Sequence, residues 1–249
     1  MYPFQTILTS GVELILLRDL QQEASSIFAH SFDYQFMESI DMNNAAKFWD
    51  RSATRYSKAP VRNEEAYQKK LEITRSYFTP ESEVFEFACG TGSTAIAHSP
   101  FVKHILAIDI SSRMLEIAQG KADERNISNI TFRKSTLEEI EENREEIDVA
   151  MAHSILHLIE NPEEASRKIF NMLKPEGIFV SSTFCLGDSN PIWRIVLPLA
   201  RLIRLVPYVN VLKRLELEKI ITNSGFEIEH QSERHKKEAA FIVAKKPKR

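Results

Sequence analysis

From Glu83 onward the chain alternates between short apolar runs and longer stretches with a single apolar stripe. Glu83–Ala88, Lys103–Asp109, Asn129–Arg133, Ile147–His153 and Ile178–Phe184 are rich in Val, Ile, Phe, Leu and Ala and have the length of buried strands. Helical spacing fills the gaps: Ser93–His98, Ser112–Asn126, an acidic stretch around Leu137–Asn143, and Pro162–Leu173. Asn161 provides an N-cap and Pro162 a first helical residue. Lys174-Pro175-Glu176-Gly177 reads as a turn. Two helices are expected upstream, one over roughly 45–57, capped by Asn43 or Asn44 and stopped before Pro60, the other over Glu64–Phe78. Gly225–Gln231 and Ala239–Lys245 supply two late strands. Strands that alternate with helices predict an α/β fold, a mostly parallel sheet covered on both faces.

Residues 1–41 lack this regularity. They read as an N-terminal extension ahead of a domain over 42–249, with Met42 as a candidate start; an ordinary helical cap on the domain is the alternative. Composition narrows the class. Hydrophobic residues make up 43% of the 249, enough for a core, and the net charge of −3 gives no general attraction to nucleic acid. Cys89 and Cys185 have neither disulfide-framework nor zinc spacing, so a reducing compartment fits and no metal site is expected. With no basic n-region and no long apolar run, neither a signal peptide nor a bilayer span is read, and a cytoplasmic protein is expected. The basic end Lys245–Arg249 reads as a solvated tail.

The chemistry gathers where the first strand ends. Val84-Phe85-Glu86-Phe87-Ala88-Cys89-Gly90-Thr91-Gly92 places two glycines at a strand-to-helix corner, where the loop bends sharply and a ligand touches bare backbone. In open α/β sheets ligands sit beyond the carboxyl ends of the strands. Gly90-x-Gly92-x-x-Ala95 alone also fits a dinucleotide fingerprint. Glu86 argues for a cationic ligand, because its charge would oppose a pyrophosphate. Asp109, about 20 residues beyond the turn, is placed to accept hydrogen bonds from ribose hydroxyls. The competing roles are a helix cap for Asp109 and a lysine partner for Glu86.

These segments resemble the motifs of class I S-adenosylmethionine (SAM)-dependent methyltransferases. Glu86-Phe-Ala-Cys-Gly-Thr-Gly92 is similar to the first motif, and Ala107-Ile-Asp109-Ile-Ser111 with Met114 to the second. Asp148–His153 and Leu173–Gly177 resemble the signatures at and after the fourth strand. The subgroup it resembles contains ubiquinone- and menaquinone-biosynthesis methyltransferases and related small-molecule enzymes. The resemblance implies a doubly wound, Rossmann-like sheet of seven strands with the last antiparallel, and SAM as the methyl donor. It implies that Glu86 faces the methionine end, with Ala88, Cys89, Gly90, Thr91 and Gly92 along the loop. Asp109 would hold the ribose, and Ile110 and Met114 the adenine. Lys134-Ser135-Thr136-Leu137 stands where the family often has an acidic partner for the adenine amine, so Ser135, Thr136 or Leu137 takes that place. Cys89 also reads as a small buried hydrophobe.

Direct displacement on a sulfonium needs mainly positioning and enclosure. His153 and His157 follow the fourth strand, and histidine suits a general base for a hydroxyl or phenol acceptor. His153 otherwise lines the cofactor pocket and His157 otherwise packs on the sheet. The family builds a substrate lid at the place of residues 186–215. Here Arg194, Arg201 and Arg204 recur at helical spacing among apolar residues, so the 192–206 segment could meet an anionic membrane surface or cover a hydrophobic, lipid- or quinone-like acceptor. An NAD-dependent oxidoreductase and a non-catalytic SAM-binding protein are the alternatives. No nucleic-acid partner is expected.

Overall fold

Seven strands lie in the order β3-β2-β1-β4-β5-β7-β6, with β7 antiparallel to both of its neighbours. The strands are β1 Glu83–Phe87, β2 His104–Asp109, β3 Ile130–Lys134, β4 Ile147–His153, β5 Leu173–Thr183, β6 Glu227–Gln231 and β7 Ala240–Lys245. The helices are α1 Tyr34–Lys58, α2 Glu64–Arg75, α3 Ser93–His98, α4 Ser112–Asp123, α5 Pro162–Met172 and α6 Arg214–Asn223. This computed structural model describes residues 34–61, 63–141, 146–189, 192–194, 196–197, 208–233 and 238–248, with side chains from residue 44. The expected seven-stranded, doubly wound sheet with a final antiparallel strand is the fold found.

The strand order reverses between β1 and β4, which makes their carboxyl ends the switch point where a ligand crevice opens. Two apolar layers flank the sheet. On one face Phe85, Ile108, Ala150 and Phe179 meet Ile169 of α5 and Leu217 of α6. On the other, Val84, Ala107, Met151 and Val180 meet Ala95 of α3 and Leu115 of α4, with Tyr77 and Phe78 just beyond α2 packed against them. Burying such side chains is worth about 1.5–3 kcal/mol each, and this is the main force holding the layers together.

Several local expectations are corrected. α1 begins at Tyr34, so Asn43 and Asn44 lie inside the helix rather than at its cap. Residues 1–33 of the expected extension lie outside the described residues. The acidic helix expected around Leu137–Asn143 is a single turn over Leu137–Ile140, closed by the Ile140 N–H donating to the Leu137 carbonyl at 3.2 Å. Only that one apolar pair is buried there, and a single layer nucleates one turn without a second to extend it. Residues 142–145 lie outside the described residues.

The turn expected at Lys174–Gly177 is an irregularity inside β5, whose pairing with β4 slips between Ile147 and Val149. Glu176 takes a φ of +64°, and its N–H donates to the Lys246 carbonyl at 3.0 Å. That pairing draws the chain end onto the sheet. Lys246, expected in a solvated tail, is 2% exposed, and its Nζ donates to the Leu173 carbonyl at 2.6 Å. α6 was not foreseen. Arg214 anchors it, donating to Glu218 Oε1 at 3.0 Å, to Gln231 Oε1 at 3.0 Å and to the Ser232 carbonyl at 2.5 Å.

Of the expected lid, Leu186–Asp188 forms a 3₁₀ turn, while Arg201 and Arg204 lie outside the described residues. No helix among the described residues is long and apolar enough to cross a membrane.

Candidate cofactor site at the switch point

Strand register sorts the polar side chains by face. Glu86 pairs with Ala107 of β2 and with Met151 of β4, and His153 pairs with Ser182 of β5. Side chains alternate along a strand, and paired residues of parallel strands share a face. Glu86, Asp109, His153 and Ser182 therefore all stand on the α2–α3 face, at the carboxyl edge of the sheet.

The corner after β1 is built from unusual backbone. Ala88, Gly90 and Gly92 have φ of +56°, +54° and +70°. A Cβ on Gly92 would lie 2.8 Å from Ala118 Cβ and 3.0 Å from the Phe132 ring, so this glycine is required by packing between α4 and β3. Among the described residues a Cβ on Gly90 would meet only Tyr56 Cε1, at 3.9 Å, so little crowds this glycine on its Cβ side. Lys121 of α4 braces the loop from behind, donating to the Thr91 carbonyl at 3.2 Å and to Thr91 Oγ1 at 3.0 Å. Thr91 thus spends its hydroxyl on the scaffold.

The two acids have different surroundings. Glu86 is 2% exposed and its Oε2 has no hydrogen-bond partner. Burial pushes its pKa up to about 8; the Ala95 amide offsets this in part and the Asp109 charge adds to it. Among the described residues no lysine pairs with it, which removes the strand-end ion pair as an account of the residue. Asp109 is also buried, but Oδ2 accepts from the Gly90 N–H and Oδ1 from the Ser111 N–H, both at 2.8 Å. Burial raises its pKa against the amides of Ser111, Gly90 and Ile110, and the Asp50 charge raises it further. The N-cap of α4 is Ser111, whose Oγ accepts from the Met114 N–H at 3.1 Å, so capping does not explain Asp109. Each carboxylate oxygen has a second lone pair, so Asp109 retains acceptor capacity toward a ligand.

The N-terminal helices complete the edge, which sequence reasoning missed. Asp50 of α1 accepts from Ser111 Oγ at 2.6 Å and from the Arg113 N–H at 3.0 Å. The Tyr56 hydroxyl lies where burial raises its pKa and the charges of Asp109 and Glu86 raise it further. Tyr67 of α2 also feels Glu86, after the larger effect of its own burial. The available signal was a stripe on α2, Tyr67, Lys70, Leu71 and Thr74, in which polar groups share the apolar face.

The remaining candidates divide. Ser135 joins the site through its N–H, which donates to the Asp109 carbonyl at 3.1 Å. Its hydroxyl lies 3.2 Å from Glu139 Oε2, which also accepts from the Thr136 N–H at 3.0 Å. A carboxylate therefore stands at this loop, supplied from just beyond Lys134–Leu137, where the family pattern often has one. Met114 is buried below Ser111, and Leu137 is buried in the core of the opposite face. Cys89 is buried among apolar residues, and burial raises its thiol pKa well above the usual value. His153 is held neutral by burial and then by the Lys70 charge, with its pKa lowered to about 4. His157 is buried with its ring edge-on to Phe184 at 5.9 Å and its Nδ1 unpartnered.

The residues fit SAM: a buried acceptor atom without a donor and a second buried carboxylate stand on one face at the carboxyl edge, next to a glycine corner. A dinucleotide pyrophosphate would face Glu86 unfavourably, and the antiparallel β7 departs from the dinucleotide-binding strand order. No cluster of three or more metal-ligating side chains occurs among the described residues.

Known proteins agree. A family model described as a methyltransferase domain matches residues 79–236. The chain is 30% identical over 147 residues to the malonyl-[acyl-carrier protein] O-methyltransferase of Priestia megaterium, covering 58% of this chain and 50% of that protein. It is 27% identical over 210 residues to the ubiquinone biosynthesis O-methyltransferase of Rickettsia canadensis, covering 77% and 86%. The first curated relatives are matched over half of their length or less. Among solved structures, the DhpI–SAH complex superposes with a TM-score of 0.63 at 17% identity, covering 83% of this chain and 97% of that one. With the strand order, the glycine corner and the family model in agreement, the chain belongs to the class I SAM-dependent methyltransferase family.

Proposed function

We propose that the protein transfers the methyl group of SAM to a small, largely apolar acceptor. The observation that carries this reading is the orphaned Oε2 of Glu86, buried on a carboxyl group that the Ala95 amide reaches and within electrostatic reach of Asp109. An ammonium group is the partner that such an oxygen lacks. Glu86 would hold the methionine ammonium, Asp109 the ribose hydroxyls, and the Gly90 backbone would lie against the ligand. Ser135, Thr136 and Glu139 would border the adenine, with Ile110 and Met114 as its apolar wall.

When bound, SAM supplies an electrophilic methyl: the acceptor's lone pair bonds to that carbon as the carbon–sulfur bond breaks, the sulfur leaves as a neutral thioether, and any acceptor proton passes to a base or to water. The chain's task is orientation and exclusion of water, effects worth about 7–11 kcal/mol of barrier. His153, neutral and at the carboxyl end of β4, would be the group that takes a proton. His157, packed on Phe184, would shape the wall. An apolar acceptor is supported by the start of the 186–215 segment, where Ile192 and Val196 expose 51% and 40% of their surface. The same pair would let this segment touch a membrane surface.

Calorimetric titration with SAM, S-adenosylhomocysteine (SAH) and NAD tests the cofactor. Binding of both adenosyl compounds without NAD is expected, and NAD binding in their place would end the proposal. Labelled SAM incubated with a metabolite extract, followed by mass spectrometry of labelled products, tests turnover. Absence of any labelled product would reduce the protein to a SAM binder.

A further inference from the structure

The inner stripe of α2 carries one cation. Leu71 and Thr74 are buried, and Lys70, between them and Tyr67, is half-buried. Its Nζ donates to Ser182 Oγ at 3.1 Å and lies 5.8 Å from the Phe241 ring centre. Among the described residues Lys70 forms no ion pair. The acid that bears on its charge is Glu238, whose Oε1 is already held by the Asn63 amide at 3.2 Å. Burial lowers the Lys70 pKa more than Glu238 restores it. Withdrawing an ammonium from water without a bound anion is unfavourable, and a hydroxyl and a ring face compensate only in part.

Ser182 is the register partner of His153, so Lys70 faces the same edge as Glu86, displaced along it from β1 to β5. Relative to the proposed cofactor position, that displacement is toward the side left for an acceptor. The Lys70 charge also reaches His153 and contributes to keeping it neutral. The Phe241 ring gives the ammonium an apolar neighbour.

We propose that Lys70 and Ser182 form an acceptor subsite for a carboxylate, so that the substrate is an apolar acid rather than a neutral lipid or quinone. The ammonium supplies the charge and the Ser182 hydroxyl a second donor once a ligand oxygen takes its place on Lys70. Lys70 is then a specificity residue at the acceptor, distinct from the groups that hold SAM. The inference rests on the SAM reading, and the two fail separately in one experiment.

The protein is first saturated with SAH, then titrated with benzoate and, in parallel, benzamide, which share a ring and differ in charge. Ligand-observed NMR reads the affinity in wild type, Lys70→Met and Lys70→Arg. The expected result is benzoate binding at least about tenfold tighter than benzamide, a gap of about 1.4 kcal/mol. Lys70→Met abolishes that preference with SAH affinity unchanged, and Lys70→Arg retains it. Equal affinities in wild type, including no binding of either, overturn the subsite, as does a preference that survives Lys70→Met. Loss of SAH binding in Lys70→Met places the lysine on the cofactor and also overturns it. Failure of wild type to bind SAH, seen before benzoate is added, overturns the cofactor reading instead.

Discussion

The Asp50 carboxylate accepts a hydrogen bond from the Ser111 hydroxyl at 2.6 Å, tying α1 to the corner at which β2 passes into α4. Ser111 in turn caps α4 through the Met114 N–H, so one side chain joins a helix cap to a neighbouring helix. The negative charge at the α4 N-terminus is also favoured by the helix dipole. α1 carries Tyr56 over Gly90, so the pairing sets one wall of the proposed cofactor site.

Asp50→Ala is expected to cost about 1.5–3 kcal/mol, the value of a hydrogen bond to a charged group. It is also expected to weaken SAM binding, roughly tenfold for each 1.4 kcal/mol of lost wall positioning. Denaturant titration and calorimetry on one preparation measure both. Unchanged SAM affinity together with lowered stability would separate α1 from the site.

Glu86 gives a pH signature. Its pKa is raised to about 8 in the folded protein against an ordinary 4.5, so the protonated acid favours folding. That stability is present below pH 4.5 and is lost as the pH climbs to about 8. A ligand ammonium favours the ionised acid, so SAM binding is expected to release a proton below about pH 8 and to tighten as pH rises toward it. Glu86→Gln is expected to abolish this pH dependence and weaken SAM about ten- to hundredfold, the loss of a charge-assisted bond of about 1.5–3 kcal/mol. Calorimetry in buffers of different ionisation enthalpy reads the proton directly. A binding heat independent of buffer would show that Glu86 is already ionised or not engaged.

Three histidines act in the opposite direction. Burial lowers the pKa of His98 to about 3, and those of His153 and His157 to about 4. Each contributes stability that is complete above about pH 6.5 and drains as the pH falls toward its folded value. Acid destabilisation by these histidines is therefore expected to begin near pH 6.5, above the range where ordinary carboxylates titrate. His98 is the extreme case, fully buried with neither ring nitrogen partnered and its ring edge-on to Phe78 at 5.0 Å. His98→Leu is expected to flatten the fall in melting temperature between pH 6.5 and 4.5. A slope identical to wild type would assign the acid sensitivity elsewhere.

How far the chain could be read in advance depended on whether a signal was local. β4 was legible to the residue at both ends, Ile147–His153, because an apolar run between polar flanks determines a buried strand by itself. The glycine corner was legible because left-handed backbone demands glycine, although the separate packing duty of Gly92 depends on Phe132, 40 positions away. α6 was missed because its apolar positions, Leu217 and Ile221, follow an aliphatic and basic stretch with which they merge. Tyr56, Tyr67 and Lys70 read as ordinary helix residues, since nothing along α1 and α2 says which sheet edge they meet. Glu139 was passed over because the family pattern places its acid within the stretch that Lys134–Leu137 occupies, whereas here one folds back from the next turn.

The glycines provide a paired test of the corner. Gly92 has a φ of +70° and has Ala118 Cβ only 2.8 Å from where its own Cβ would stand. Gly92→Ala therefore combines an unfavourable backbone with a clash against a helix that cannot retreat without parting from β3. A cost of about 2–4 kcal/mol is expected, from overpacking and the left-handed strain together. Gly120 lies on α4 with no atom within 4 Å of its built Cβ and an ordinary helical φ. Gly120→Ala is expected to stabilise the protein by about 0.5–1 kcal/mol, the helix-propensity difference. The two substitutions add the same methyl group to the same layer of the fold, so chemistry alone predicts the same effect for both. Opposite signs in denaturant titrations would show that backbone conformation and the approach of α4 decide the outcome. Equal effects would mean that the loop and α4 are not packed as described, and the glycine corner would lose its structural basis.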